Sequence, residues 1–236
     1  MPVLGAGVGG YALYVCLRGQ GSRWLRRASL FVLGCSVLAP TVRFYAGHVE
    51  AHWLVVRTVV IQTPKVTQPV RILHVSDIQS TAVGKYEERV FARVRQLLPD
   101  LVVHTGDLLH PIPPASIASE WPKMARLFRT LNPPGGMYHV IGDTDGWMTP
   151  ETLADAPGLR LLCAEDAGVT LPGARLRIYG FSSRLDMMWF ELRRHIEEWQ
   201  RKTTPDEFTI VLGHHPDYVI CPLPTSATRI VTKKNT

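Results

Sequence analysis

The sequence is poor in cysteine and shows no repetition. Among its 236 residues there are only four cysteines. Cys16 and Cys35 fall within apolar runs, whereas Cys163 and Cys221 stand apart without CxxC spacing. The cysteine spacing therefore indicates neither a zinc knuckle nor a disulfide framework. A single Cys163–Cys221 disulfide stays an open alternative. The chain also lacks internal repeats and low-complexity tracts, which argues against a repeat protein.

A basic face for nucleic acid is also missing, although the chain carries a net charge of +6 and has a pI near 9.3. The remaining lysines and arginines are scattered, but four arginines lie in one short stretch between two apolar runs: Arg18, Arg23, Arg26 and Arg27. A membrane flank explains this stretch better than a nucleic-acid surface does. We therefore expect no nucleic-acid partner.

Neither apolar run is long. Residues 1–17 and 28–42 contain no charge, but a comfortable membrane-spanning helix needs about 20 apolar residues. The second run reaches residue 47 if Arg43 snorkels toward the lipid headgroups. We expect residues 1–49 to form a transmembrane hairpin; the alternatives are a signal-peptide core in the first run or a buried helix pair of a soluble protein. Because the arginine-rich loop favours the cytoplasm, the domain at 50–236 is predicted to be membrane-tethered and extracytoplasmic.

The pattern after residue 50 alternates strands with helices. Strands are predicted at 53–61, 70–75, 101–104, 137–141 and 208–212, and helices at 86–98, 117–131 and 186–202. Short hairpin-like strands at 159–162, 169–171 and 176–179 indicate a second sheet. This order predicts an α/β fold, specifically a four-layer α/β/β/α double-sheet sandwich.

Acidic and histidine residues follow four of the predicted strands. They are Asp77 and Gln79 after 70–75, Asp107 after 101–104, Asp143 and Asp145 after 137–141, and His214 and His215 after 208–212. In open α/β sheets, ligands bind beyond the carboxyl ends of strands. Carboxylate, amide oxygen and imidazole are suitable ligands for Mn, Fe, Zn or Mg. Two such cations would stabilise the charge of a phosphoester and acidify a water, so the pattern points to phosphoester hydrolysis.

The ordered set resembles the calcineurin-like metallophosphoesterase family. It comprises Ser76-Asp77-Ile78-Gln79, Thr105-Gly106-Asp107, Gly142-Asp143-Thr144-Asp145 and Gly213-His214-His215-Pro216. The resemblance implies two divalent metal ions. Asp77 and Gln79 would bind the first, Gln79 replacing the usual His, and Asp107 would bridge both. Asp143, in place of the usual Asn, and His214 would bind the second, while His215 has a much weaker claim to be a ligand.

The sequence departs from the family pattern in two places. Thr144 stands where the family usually has a histidine that assists the leaving group, and Asp145 is a candidate substitute for that catalytic role. After His215 there is no further histidine, whereas the family has a Gly-His-x-His segment; only Asp217 and Cys221 are conceivable replacements. The domain is accordingly expected to be incomplete at its C-terminus. The competing hypothesis is a truncated or degenerate, non-catalytic metal-binding membrane module, and the identity of the phosphoester stays open.

Overall fold

A computed structural model describes residues 10–14, 22–156, 158–181, 189–215 and 227–231. The chain divides into two compact units, Met1–Val59 and Val60–Thr236. The division predicted from the sequence, between residues 49 and 50, stays a prediction.

The described part of the first unit contains one long helix. Helix α1, Arg23–Phe44, is capped by Ser22, whose side chain accepts a hydrogen bond from the Leu25 amide. It continues as a short π-helix, Tyr45–Val49, and then a 3₁₀ helix, Glu50–His52. By length and composition alone, the stretch Arg23–His52 is long and apolar enough to cross a membrane, and none of its most apolar 18 residues is buried. Most of the first predicted apolar run lies outside the described residues, so the two-helix hairpin stays a prediction.

The second unit begins with a parallel sheet. It contains β1 (Ile72–Val75), β2 (Leu101–His104), β3 (Met137–His139) and β4 (Leu159–Leu161), in that spatial order. Every neighbouring pair is parallel, and Val75 lies opposite His104. The connections contain α2 (Lys85–Gln96), α3 (Ile117–Phe128) and the short α4 (Pro150–Leu153). The carboxyl ends of β1, β2 and β3 therefore lie at one edge of the sheet.

A second sheet follows. It contains β5 (Glu165–Leu171), β6 (Ala174–Gly180), β7 (Phe208–Gly213) and β8 (Ala227–Val231), again in sequence order. The first pair is an antiparallel hairpin, and β7 is parallel to both β6 and β8. Helix α5, Trp189–Lys202, connects β6 to β7. A mixed α/β fold with a parallel sheet and a second sheet is therefore confirmed.

Side-chain alternation along β2 shows how the layers pack. Val102 belongs to a core cluster with Phe91 of α2 and Met124 of α3. Its neighbours Leu101 and Val103 belong to a different cluster, which contains the inward-facing residues of the second sheet: Val169, Leu171, Leu176, Ile178, Ile210 and Leu212. Because successive strand residues point to opposite faces, the first sheet has helices on one side and the second sheet on the other. On the remaining face of the second sheet, Tyr179 contacts Trp199 of α5, with ring centroids 5.5 Å apart.

Two sequence expectations need correction, and one strand was not expected. The predicted strand at 53–61 has no regular structure, and no described residue forms a strand ladder with it. Its β-branched residues favour a strand, but a strand without a partner gains no hydrogen bonds; Val59 and Val60 stay about four-fifths exposed. The predicted strand at 159–162 is β4, and it joins the first sheet rather than the second. Strand β8 was not predicted.

Candidate metal centre

The loops after β1 and β2 run side by side at the carboxyl edge of the first sheet. The Asp77 amide donates to the Gly106 carbonyl at 3.1 Å, and the Gln79 amide donates to the Asp107 carbonyl at 2.9 Å. These bonds continue the pairing of the two strands beyond their ends. They place the side chains of Asp77, Gln79 and Asp107 in one cluster.

The backbone at these positions is unusual. Asp77, Gln79 and Asp107 all have left-handed φ angles, 51°, 42° and 60° respectively. Asp adopts this conformation more readily than most residues, whereas Gln does so rarely. Sparsely populated backbone conformations persist where the surrounding structure enforces them, and they concentrate at functional sites.

Two glycines allow the loops after β2 and β3 to approach each other. A Cβ atom on Gly106, whose φ is +97°, would lie 2.6 Å from the Gly142 nitrogen and 2.8 Å from Nδ1 of His214. A Cβ atom on Gly142 would lie 2.5 Å from Oδ1 of Asp107. Any side chain at either position would push apart the loops that carry the candidate ligands.

His214 comes from the second sheet, directly after β7. Its Nδ1 lies 2.8 Å from the carbonyl oxygen of Thr105, so Nδ1 carries the proton and donates to that oxygen. Nε2 is then left with its lone pair, 3.6 Å from Oδ1 of Asp107 and 3.9 Å from Oδ2 of Asp143. A histidine fixed in this way by its second nitrogen is typical of metal ligands.

The candidate ligand atoms form two groups that share His214. One group is Asp77, Asp107 and His214, and the other is Asp143, His214 and His215; within each, the ligand atoms lie within 4.8 Å of one another. The four predicted ligands that are Asp or His thus lie in these groups, and the fifth, Gln79, contacts Asp107. The second group also includes His215, whose claim to be a ligand was much weaker from the sequence.

Gln79 has a different orientation from the one a ligand needs. Its side-chain nitrogen Nε2 donates to Oδ2 of Asp107 at 2.6 Å, so a nitrogen without an available lone pair faces that carboxylate. A half-turn of the amide would exchange nitrogen for oxygen. In the described geometry Gln79 holds the Asp107 carboxylate.

The other carboxylate oxygen of Asp107 is bound by the loop after β3. The Thr144 amide donates to Oδ1 at 2.9 Å, and the Thr144 hydroxyl lies 3.3 Å from the same atom. Asp77 is oriented by the Ser76 hydroxyl, which donates to its Oδ2 at 2.6 Å. Thr144 therefore orients a candidate ligand at the position where the family usually has a histidine.

Asp145 is fully buried beneath these loops. Its Oδ2 accepts the amides of Asp107 at 2.7 Å and Gly142 at 3.0 Å, and its Oδ1 accepts the amide of Leu108 at 2.9 Å. Burial by itself would raise the pKa of Asp145, but interactions with His139 and with the backbone amides hold that pKa well below its usual value. An enclosed, ionised carboxylate has no proton for a leaving group, so this geometry favours a positioning role over the predicted catalytic one.

A pair of buried histidines lies next to Asp145. Nδ1 of His104 and Nδ1 of His139 are 2.9 Å apart, and Nε2 of His139 is 3.5 Å from Oδ2 of Asp145. Burial, and then the neighbouring His139, lower the pKa of His104 well below its ordinary value. Neither histidine was predicted to be a ligand, and both lie outside the two candidate groups.

The sequence model of calcineurin-like phosphoesterases matches residues 70–234, more than half of the chain. Among solved structures, a protein of unknown function from Aquifex aeolicus is 12% identical; the match covers 62% of this chain and 79% of that one, with a TM-score of 0.36. The NAD nucleotidase of Haemophilus influenzae is 13% identical over 61% of this chain, with a TM-score of 0.39, and the match spans only 38% of the nucleotidase. No curated protein matches the chain. The extent of the family match shows that the chain belongs to the calcineurin-like phosphoesterase family.

Proposed function

We propose that the protein is a metal-dependent phosphoester hydrolase. The observation that carries the proposal is the convergence of three carboxylates and one oriented imidazole, from four separate loops, into two groups of ligand atoms. Strand ends bring their loops close together, but ordinary turn residues there need not place their ligand atoms within 4.8 Å of one another. The matched family region includes all of these residues.

In this proposal Asp77 and Asp107 hold the first of two divalent cations, and Asp107, Asp143 and His214 hold the second. Two cations at such a centre neutralise phosphoryl oxygens and lower the pKa of water. The chain keeps the ligands in place: Thr144 and Gln79 orient the carboxylate of Asp107, and the Thr105 carbonyl orients His214. Gln79 becomes a ligand only if its amide turns over.

Neither of the two residues considered from the sequence for protonating the leaving group, Thr144 and Asp145, is placed to donate a proton. Thr144 bonds to Asp107, and Asp145 is enclosed and ionised. General-acid help is typically worth about 10²–10⁴-fold. Esters whose leaving group departs without a proton, such as activated aryl phosphates, should therefore be the best substrates.

The finer architecture and the location are part of the proposal. Packing of Tyr179 on Trp199, with helices α2 and α3 on the first sheet, supports a four-layer α/β/β/α sandwich. Helix α1 and its neighbouring arginines support a membrane anchor with the catalytic domain on the extracytoplasmic side.

A second candidate function is a metal-binding membrane module without catalysis. The orientation of the Gln79 amide nitrogen toward Asp107 favours this alternative, as does the threonine at position 144. Metal titration in parallel with turnover separates the two. Tight binding without cleavage of any activated ester would support the module.

The test uses the full chain purified in detergent and an activated aryl phosphate. We expect cleavage that requires added Mn²⁺, Zn²⁺, Fe²⁺ or Mg²⁺. Asp107→Asn should lower the rate by at least about a hundredfold, because its carboxylate belongs to both proposed positions. Asp155→Asn is the matched control, since Asp155 is exposed and outside both candidate groups. No cleavage with any of the four metals, or equal cleavage by Asp107→Asn, would exclude the hydrolase.

A further inference from the structure

His215 lies beside Asp143 at the open side of the centre. Its Nε2 is 2.9 Å from Oδ1 of Asp143, and about 29% of its side chain is exposed. His214 and His215 are adjacent in sequence, and their rings meet edge to face with centroids 4.9 Å apart. The ligand atoms of Asp143, His214 and His215 all lie within 4.8 Å of one another.

The distances among these atoms match those of groups that share a cation. Two atoms bound to one cation at about 2.1 Å lie roughly 3.0 Å apart when their bonds meet at a right angle, and roughly 4.2 Å apart when they are opposite. His215 and Asp143 are separated by 2.9 Å, and Nε2 of His214 is 3.9 Å from Oδ2 of Asp143. The first separation lies at the lower end of this interval, and the second falls inside it.

The charge of the centre also favours an imidazole here. Asp77, Asp107 and Asp143 already contribute three carboxylates. Two divalent cations bound to three carboxylates keep a net positive charge, which attracts an anionic phosphoester. A neutral histidine adds a ligand and preserves that charge, whereas a fourth carboxylate would cancel it.

We propose that His215 is a ligand of the second cation, together with Asp107, Asp143 and His214. This inference rests on the proposed function and deepens it. The resulting set mixes two imidazoles with carboxylates. Such a set suits a transition-type cation such as Zn²⁺ or Mn²⁺ better than Mg²⁺, which prefers oxygen ligands.

The first measurement is calorimetric titration of the metal-free full chain in detergent with Zn²⁺. We expect two binding events in the unsubstituted protein. His215→Ala should weaken one of them at least about tenfold and leave the other unchanged. Asp143→Ala should weaken the same event. His195→Ala is the matched control, because His195 is a partly exposed histidine on α5 that belongs to neither candidate group.

The second measurement separates coordination from a simple hydrogen bond to Asp143. In protein labelled with ¹⁵N at histidine, Zn²⁺ should shift the Nε2 resonance that His215→Ala removes. His215→Gln keeps an amide that can donate to Asp143 but has no imidazole, so it should bind the second equivalent as weakly as His215→Ala. It also provides the test if the alanine variant fails to fold.

The outcomes for the ligand and for the hydrolase are distinct. The ligand assignment is overturned if His215→Gln binds two equivalents of Zn²⁺ as tightly as the parent protein and Zn²⁺ does not shift the His215 Nε2 resonance of the parent. That result would leave the hydrolase proposal standing. Absence of any Zn²⁺ binding by the parent protein would overturn both.

Discussion

At the scale of single residues, the centre depends on backbone conformations that side chains rarely adopt. Left-handed residues other than glycine cost about 1–3 kcal/mol each, and Asp77, Gln79 and Asp107 all have this conformation. Hydrogen bonds maintain it. The Gln79 amide binds the Asp107 carbonyl, and the Asp107 amide binds the buried Asp145 carboxylate.

Asp145 should therefore act through the position of Asp107. In Asp145→Asn only one oxygen remains to accept amides, so an interaction with the Asp107, Gly142 or Leu108 amide is lost. We expect a loss of about 1–3 kcal/mol in the free energy of unfolding and an affinity for metal lowered by about 10–100-fold. Denaturant unfolding and calorimetry measure the two effects, with Asp155→Asn as the control.

A proton-donor role for Asp145 makes a different prediction. The variant would then keep its metal affinity and lose activity only on esters with poor leaving groups. That result would restore the catalytic role predicted from the sequence.

The sequence predicts which residues lie at strand ends, but not how their side chains are oriented. Asp77, Asp107, Asp143 and His214 were predictable because the carboxyl ends of the strands bring them together, whatever their rotamers. The orientation of Gln79 depends on its hydrogen bond to Asp107, which no sequence pattern reveals. His215 was given little weight because histidines also serve in satisfied core positions, and no sequence pattern reveals that its ring lies beside Asp143.

At the scale of elements, the sequence predicted the positions of strands that are buried, but not which neighbouring strand each one pairs with. Strand β2 has the predicted bounds because all four of its residues are buried. Strand β4 has three residues, too few to indicate which sheet it joins. The stretch at 53–61 has strong strand propensity, but propensity does not supply a neighbouring strand.

The first turn of α2 holds the loop that follows Gln79. Buried Glu87 accepts the Gly84 amide and the Ser80 hydroxyl, both at 2.8 Å. Glu87→Ala leaves both donors without that partner and should lower the free energy of unfolding by about 1–3 kcal/mol. Glu88→Ala is the control, since the neighbouring Glu88 is exposed on the same turn. Equal unfolding midpoints for the two variants would contradict this role of Glu87.

At the scale of the whole molecule, the buried His104 makes folding sensitive to acid. Its pKa in the folded protein lies well below the value near 6.5 of an unfolded chain. Below about pH 6.5 the unfolded state therefore binds a proton that the folded state does not. The free energy of unfolding should fall by up to about 1.4 kcal/mol per pH unit from this group.

Urea unfolding at pH 7, 6 and 5 measures this dependence. In His104→Gln the slope with pH should be smaller than in the parent protein, and a variant at the exposed His110 should retain the parent slope. Identical slopes for His104→Gln and the parent would show that His104 does not cause the acid sensitivity.

The two sheets meet at His214, which follows a strand of the second sheet while Asp77, Asp107 and Asp143 follow strands of the first. A cation bound by His214 together with Asp107 and Asp143 would link the second sheet to the first. Purification in the presence of EDTA would remove the bound cations, and with them both this link between the sheets and the metals needed for catalysis. Preparations handled in this way should be cut faster by proteases and should lose solubility sooner on storage.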